Sequence, residues 1–95
     1  MLNSKQRATL RAMANGISPV LQIGKGGIGE ELIKQLDDVL SARELIKVSV
    51  LETAETTAHE ACDTLAKALR AEPVQAIGRK FVLYRRNHDA PKLLV

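Results

Sequence analysis

Apolar residues recur along this chain at two spacings, three-to-four and two, and the switches between them mark out its elements. Leu10, Met13, Ala14 and Ile17 form one stripe at helical spacing, which predicts a first helix over about 4–15. Asn3 or Ser4 is placed to cap its start, and Gly16 lies just past its end. Arg7 and Arg11 share a neighbouring stripe with Asn15, so their guanidinium groups stand side by side next to the buried face. Pro19 introduces a short strand, Val20-Leu21-Gln22-Ile23. A second helix is expected from about Gly29 to about Ala42, with Ile28, Leu32, Leu36, Val39 and Leu40 on its core face and Glu30, Glu31, Lys34, Asp37 and Asp38 opposite. From Leu45 to Leu51 the period becomes two, Ile46, Val48 and Val50 alternating with Lys47 and Ser49 as a half-buried strand requires. Thr57-Ala58-His59-Glu60 has the form of a capping box. The third helix it opens runs to about Arg70 and buries Ala58, Ala61, Cys62, Leu65 and Leu69, and Pro73 is expected to stop it. Val74–Ile77 and Lys80–Tyr84 read as two strands joined by Gly78-Arg79, a two-residue turn with glycine first, as type II′ demands.

The order αβαβαββ predicts a two-layer α/β (α+β) fold with a four-stranded mixed sheet. Two β-α-β crossovers imply parallel pairing with right-handed connections, and the terminal hairpin adds an antiparallel strand. Two helices can cover one face of such a sheet, with the first helix packed at an edge or an end. The pattern leaves the strand order open. Short joints and the lack of any repeat or linker point to one domain over 1–86, followed by a loose tail over 87–95.

Composition narrows the class. At 95 residues the chain buries roughly two thirds of its surface and has no room for separate cofactor and substrate domains. Hydrophobic residues make up 45%, enough for a core, and with Phe81 and Tyr84 the only aromatics that core must be aliphatic. Cys62 is alone, so no internal disulfide forms, and no leader or membrane-spanning run is apparent; a soluble cytoplasmic protein is expected. The net charge of +3 hides its distribution: residues 1–29 carry +4, residues 30–72 carry five bases against ten acids, and residues 73–95 carry +4. Either these are two solvated basic ends, or they converge into one basic face.

The most informative stretch is Gly24-Lys25-Gly26-Gly27-Ile28-Gly29, between a strand and a helix. As a G-x-x-G loop, Gly24 to Gly27 lets backbone N–H groups and a helix start approach phosphate, with Lys25 adding charge at the tip. Gly24, Gly26 and Gly29 also match the dinucleotide fingerprint G-x-G-x-x-G, and Glu52 ends the next strand where a ribose-binding acid would sit. Against that, the chain offers one incomplete half of a dinucleotide fold and no group placed to handle a hydride. A tight loop with positive φ and no ligand is a third possibility, although four glycines in six residues exceed what a turn needs. No Lys-Ser or Lys-Thr follows the last glycine, which excludes a Walker-type loop. His59 and Cys62 are spaced to touch one metal, but two ligands make no zinc site and Cys62 falls on the apolar face. No nucleophile–base pair is visible, so neither catalysis nor a cofactor is expected.

Four ordered segments, Leu2-Asn3-Ser4-Lys5-Gln6-Arg7, the Gly24-Lys25-Gly26-Gly27 loop, Glu44-Leu45-Ile46-Lys47-Val48 and Ile77-Gly78-Arg79-Lys80-Phe81-Val82-Leu83-Tyr84-Arg85, resemble bacterial YhbY-type proteins. These are stand-alone CRM domains (chloroplast RNA splicing and ribosome maturation), and the resemblance covers about residues 2–86. It implies a fold akin to the C-terminal domain of translation initiation factor three, RNA binding, and association with precursors of the large ribosomal subunit. It places the RNA-contacting loop on Gly24, Lys25, Gly26 and Gly27, and a basic surface on Lys5, Arg7, Arg11, Arg79, Lys80 and Arg85. Two departures stand out: Gly29 replaces a hydroxyl residue that often caps the second helix, and the tail lacks the family's basic run. The expectation is a monomeric, non-enzymatic RNA-binding protein that recognises shape and phosphate more than base sequence. A nucleotide-binding enzyme fragment and a protein-interaction module that meets an acidic partner are its rivals.

Overall fold

The computed structural model describes residues 2–87. In chain order the elements are α1 (Ser4–Ala14), β1 (Leu21–Ile23), α2 (Glu30–Arg43), β2 (Leu45–Val50), α3 (Ala58–Leu69), β3 (Glu72–Ile77) and β4 (Lys80–Tyr84). Local chemistry sets their ends. At the start of α1 the Gln6 N–H donates to Asn3 Oδ1 at 2.8 Å and the Asn3 N–H donates back to Gln6 Oε1 at 3.0 Å. Thr57 and Glu60 make the same reciprocal pair ahead of α3, each bond 3.1 Å. The α3 helix ends sooner than Pro73 requires. Arg70 turns left-handed at φ 55°, and the Ala71 N–H closes on Ala66 O at 2.9 Å. Pro73 therefore lies inside β3 instead of stopping the helix, and it is tolerated because β3 is an edge strand with a bulge between Pro73 and Gln75.

The strands lie in the order β1-β2-β4-β3. β1 pairs parallel with β2, and β4 pairs antiparallel with β2 and β3. The second crossover thus skips a strand: β4 folds back between β2 and β3, and the hairpin it forms turns at Gly78 with φ 61°. Centrality suits β4, whose Phe81, Val82, Leu83 and Tyr84 are all buried.

Burial on both faces of β4 also explains where α1 goes. Phe81 and Leu83 join Ile23, Ile46, Val48 and Val50 under α2 and α3, against Leu36, Leu40, Ala61, Leu65 and Leu69. Val82 and Tyr84 point the other way, and with Leu45 and Val74 they receive Leu10 and Ala14 of α1. The first helix is therefore not at an edge or an end. It covers the opposite sheet face and adds a partial third layer to the two that the pattern predicts. Asn87, assigned to the tail from sequence, is tied in as well. Its N–H donates to Glu44 Oε2 at 2.7 Å and its amide to Ser41 O at 3.1 Å. The rest of the expected tail, with His88, lies outside the described residues.

Candidate nucleic-acid interface

Parallel pairing sends β1 and β2 out of the sheet at the same end, and the β2–β4 register puts the hairpin turn there too, the Val50 N–H donating to Arg79 O at 2.6 Å. The glycine loop, the segment 51–57 and the Gly78-Arg79 turn therefore share one end of the molecule. Both crossover helices begin at that end, so their unpaired N–H groups and positive dipole ends face it.

The loop is a four-residue turn closed by the Gly27 N–H on Gly24 O at 3.0 Å, with Lys25 and Gly26 exposed at its tip. Gly27 has φ 69°, so a side chain there would be strained. Gly26 is different: its φ is ordinary and a Cβ would meet nothing within 4 Å. Nothing inside the chain requires glycine at that position. Gly29 is the N-cap of α2, extended at φ −121°, and no side chain caps the helix. It belongs to the helix start, and a Cβ there would meet nothing within 4 Å, so the close helix–strand packing that the third fingerprint glycine serves is missing.

Charge at this end is mixed. Lys25, Arg79 and Lys80 are exposed, and Lys25 and Lys80 make no ion pair among the described residues. Glu30 and Glu31 occupy the first turn of α2, where they suit its dipole. Arg79 lies 3.4 Å from Glu52, both largely exposed, so the pair is weak and open to competition from another anion. That pairing also takes up the acid on which the dinucleotide reading depends. β1 is moreover an edge strand, with no further parallel strand beside it to build a dinucleotide crevice.

The remaining basic candidates do not all gather here. Arg7 Nη1 donates to Pro73 O at the beginning of β3, the opposite end of the sheet from the hairpin, and Lys5 lies in the same first turn of α1. Arg11 is exposed one turn further along α1. Arg85 is a correction to the basic surface. Its guanidinium is four-fifths buried and bonds Asp37 Oδ1 at 2.6 Å, Leu69 O at 3.0 Å, and Asp37 O and Ser41 Oγ at 2.9 Å each. It fastens the end of β4 to α2 and α3. Among the described residues the basic candidates thus divide between the two ends of the sheet.

Sequence reasoning passed over the half of the sheet that α1 leaves bare. Cross-strand register aligns Gln22, Ser49, Lys80 and Ile77 in one row over all four strands, and Lys47, Val82 and Gln75 in the next. The outward positions of β2, Lys47 and Ser49, were the signal for it. Elsewhere, Cys62 is 3% exposed and burial pushes its thiol up to about 11, helped by the Asp63 charge. His59 pairs instead with Asp63 at 3.5 Å on the surface. Among the described residues no helix is long and apolar enough to cross a membrane, and no group of three His, Cys, Asp or Glu is arranged to hold a metal.

These features define a class: a small α+β domain with a mixed four-stranded sheet and a glycine-rich turn opening its second helix. The particular family follows from comparison. Residues 2–85 match the CRS1 / YhbY (CRM) domain, and the chain belongs to that family. It is 43% identical to Probable RNA-binding protein YqeI of Bacillus subtilis over 94% of this chain and 93% of that one. It is 38% identical to Probable RNA-binding protein MJ0652 of Methanocaldococcus jannaschii, over 98% of this chain and 70% of the relative. The solution structure of SAV1595 from Staphylococcus aureus superposes with a TM-score of 0.77 at 51% identity, covering 90% of each chain.

Proposed function

We propose that this protein is a non-enzymatic RNA-binding protein that holds ribosomal RNA in precursors of the large subunit, with the Gly24–Gly27 turn against backbone phosphate. The observation that carries the reading is Gly26. Its backbone conformation and its surroundings would accept a side chain, so glycine at this exposed tip leaves the main chain open to close approach by a partner. Exposed Lys25 and Lys80 and the uncapped N–H groups of α2 supply what phosphate needs at the same place. The names of relatives over nearly the full chain agree on RNA as the ligand. The ribosomal role rests on the family resemblance.

Titration of a single-stranded ribosomal RNA fragment at several salt concentrations tests the RNA reading. Three to six phosphate contacts give a log–log slope of roughly −2 to −4, and a flat slope would exclude electrostatic binding. Lys25→Glu reverses charge at an exposed tip, so it should weaken binding and flatten that slope while leaving the thermal midpoint in place. Sedimentation of a gentle lysate tests the ribosomal part: the protein should travel with precursor large subunits.

A further inference from the structure

We propose that the bare half of the sheet, on the side of α1, is a receptor for an unpaired base of the RNA whose backbone lies on the glycine turn. The inference rests on the RNA-binding reading and goes beyond it, to a second site of different chemistry. Asn15, Lys47, Gln75, Ile77, Lys80 and Val82 line a hollow of about 210 Å³. Its floor is Val82, buried, and its rim is Ile77, the most exposed large hydrophobic residue among those described, at 69%. An exposed isoleucine beside a hollow offers a flat heterocycle an apolar contact.

Polar chemistry in the hollow suits a nucleotide. The side-chain amides of Asn15 and Gln75 have no hydrogen-bond partner among the described residues, and each presents both a donor and an acceptor, the pattern of a base edge. Lys47 and Lys80 flank them on β2 and β4, likewise without an ion pair among the described residues. No acid stands in either cross-strand row of this half-face, so a polyanion meets no repulsion there. The site is also within reach of the turn. β1, which carries the glycine turn, is two strand spacings from β4, roughly 10 Å, a span that a short single strand of RNA covers. Because the hollow has no aromatic platform, a base is held by its edge and by aliphatic contact instead of by stacking.

The test needs oligonucleotides of equal charge with and without bases. An eight-nucleotide single-stranded RNA and the same backbone with two adjacent abasic positions are titrated against the full chain, and against Gln75→Ala and Ile77→Ser. The wild type should bind the intact oligonucleotide about tenfold more tightly than the best-placed abasic one, in the range of a good edge contact. Each variant should lose most of that difference and keep the salt slope, since neither changes charge. In NMR spectra the side-chain NH₂ signals of Asn15 and Gln75 should shift with the intact oligonucleotide and stay put with the abasic one, a reading that requires no mutation. If RNA binds and shifts the Lys25–Gly27 amides while abasic and intact oligonucleotides bind alike, the base receptor is overturned and the phosphate site stands. If RNA binds nowhere, both fall together. If a poly-glutamate peptide shifts the Asn15 and Gln75 signals more strongly than RNA does, the half-face is a protein-docking surface and the proposal is wrong.

Discussion

At the scale of single residues, burial gives Cys62 a consequence its chemistry alone would not. The thiol sits at 3% exposure among Leu65, Leu69 and their neighbours, and its folded pKa is pushed from 9.0 to about 11. A raised folded pKa means that the unfolded chain releases the proton first as pH rises. Stability is therefore fully present below pH 9 and is lost between pH 9 and about 11, by about 2–3 kcal/mol for a shift of this size. Tyr84, raised by burial and by the Glu44 charge against the lowering effect of Arg86, drains stability in the same direction above pH 10. Urea midpoints measured across this range should fall steeply for the wild type and less steeply for Cys62→Ala, whose own cavity cost is independent of pH. Equal slopes would show that the thiol is not linked to folding. Ordinary alkylating reagents should also react slowly with Cys62 in the folded protein.

At the scale of elements, the two sides of the glycine loop predict opposite responses. Gly29 has the extended conformation of an N-cap, no side-chain cap bond, and open space around a would-be Cβ. Gly29→Ser should stabilise the domain by a few tenths of a kcal/mol, by capping the first turn of α2. Gly27→Ala forces a Cβ into φ 69° and should destabilise by roughly 1 kcal/mol. Chemical denaturation at constant m-value separates the two, and a stabilising Gly27→Ala would contradict the turn as described. Much at this scale was legible in the chain. The Asn3 cap, the Thr57–Glu60 capping box, the period-two run at Ile46, Val48 and Val50, and the glycine-first hairpin turn each involve neighbours close in sequence, and each is present. What local pattern could not supply was long-range. The insertion of β4 between β2 and β3 decides the strand order, and the side taken by α1 follows from it. The unbroken apolar run Phe81–Tyr84 held the clue, because a strand apolar on both faces must be central and leaves a second face for a helix to cover. Pro73 misled for the same reason: only the edge position of β3 lets it enter a strand.

At the scale of the whole molecule, the basic residues divide by where the fold puts them, and sequence position says little about that. Lys25, Arg79 and Lys80 come together because parallel strands and the hairpin share an end. Arg85, the residue after Tyr84 of β4, which pairs with both β2 and β3, is drawn inward at the other end. Charge counting treats both groups alike, although only the first is left exposed at the loop end. Substitution separates them. Arg85→Ala leaves the Asp37 carboxylate and the Leu69 carbonyl without their shared donor and unties β4 from α2 and α3. The ion pair is short and its arginine is largely buried, so removing it should cost about 2–3 kcal/mol of stability. In the fraction that remains folded, RNA affinity and its salt slope should match the wild type, because the lost charge never faced the loop end. Lys25→Glu should do the reverse, keeping the thermal midpoint and lowering the slope by at least about one phosphate contact. If Arg85→Ala lowers the salt slope by about one phosphate contact at a temperature where it is fully folded, RNA wraps to the far end of the sheet and the interface is larger than the loop, the hairpin turn and the bare half-face.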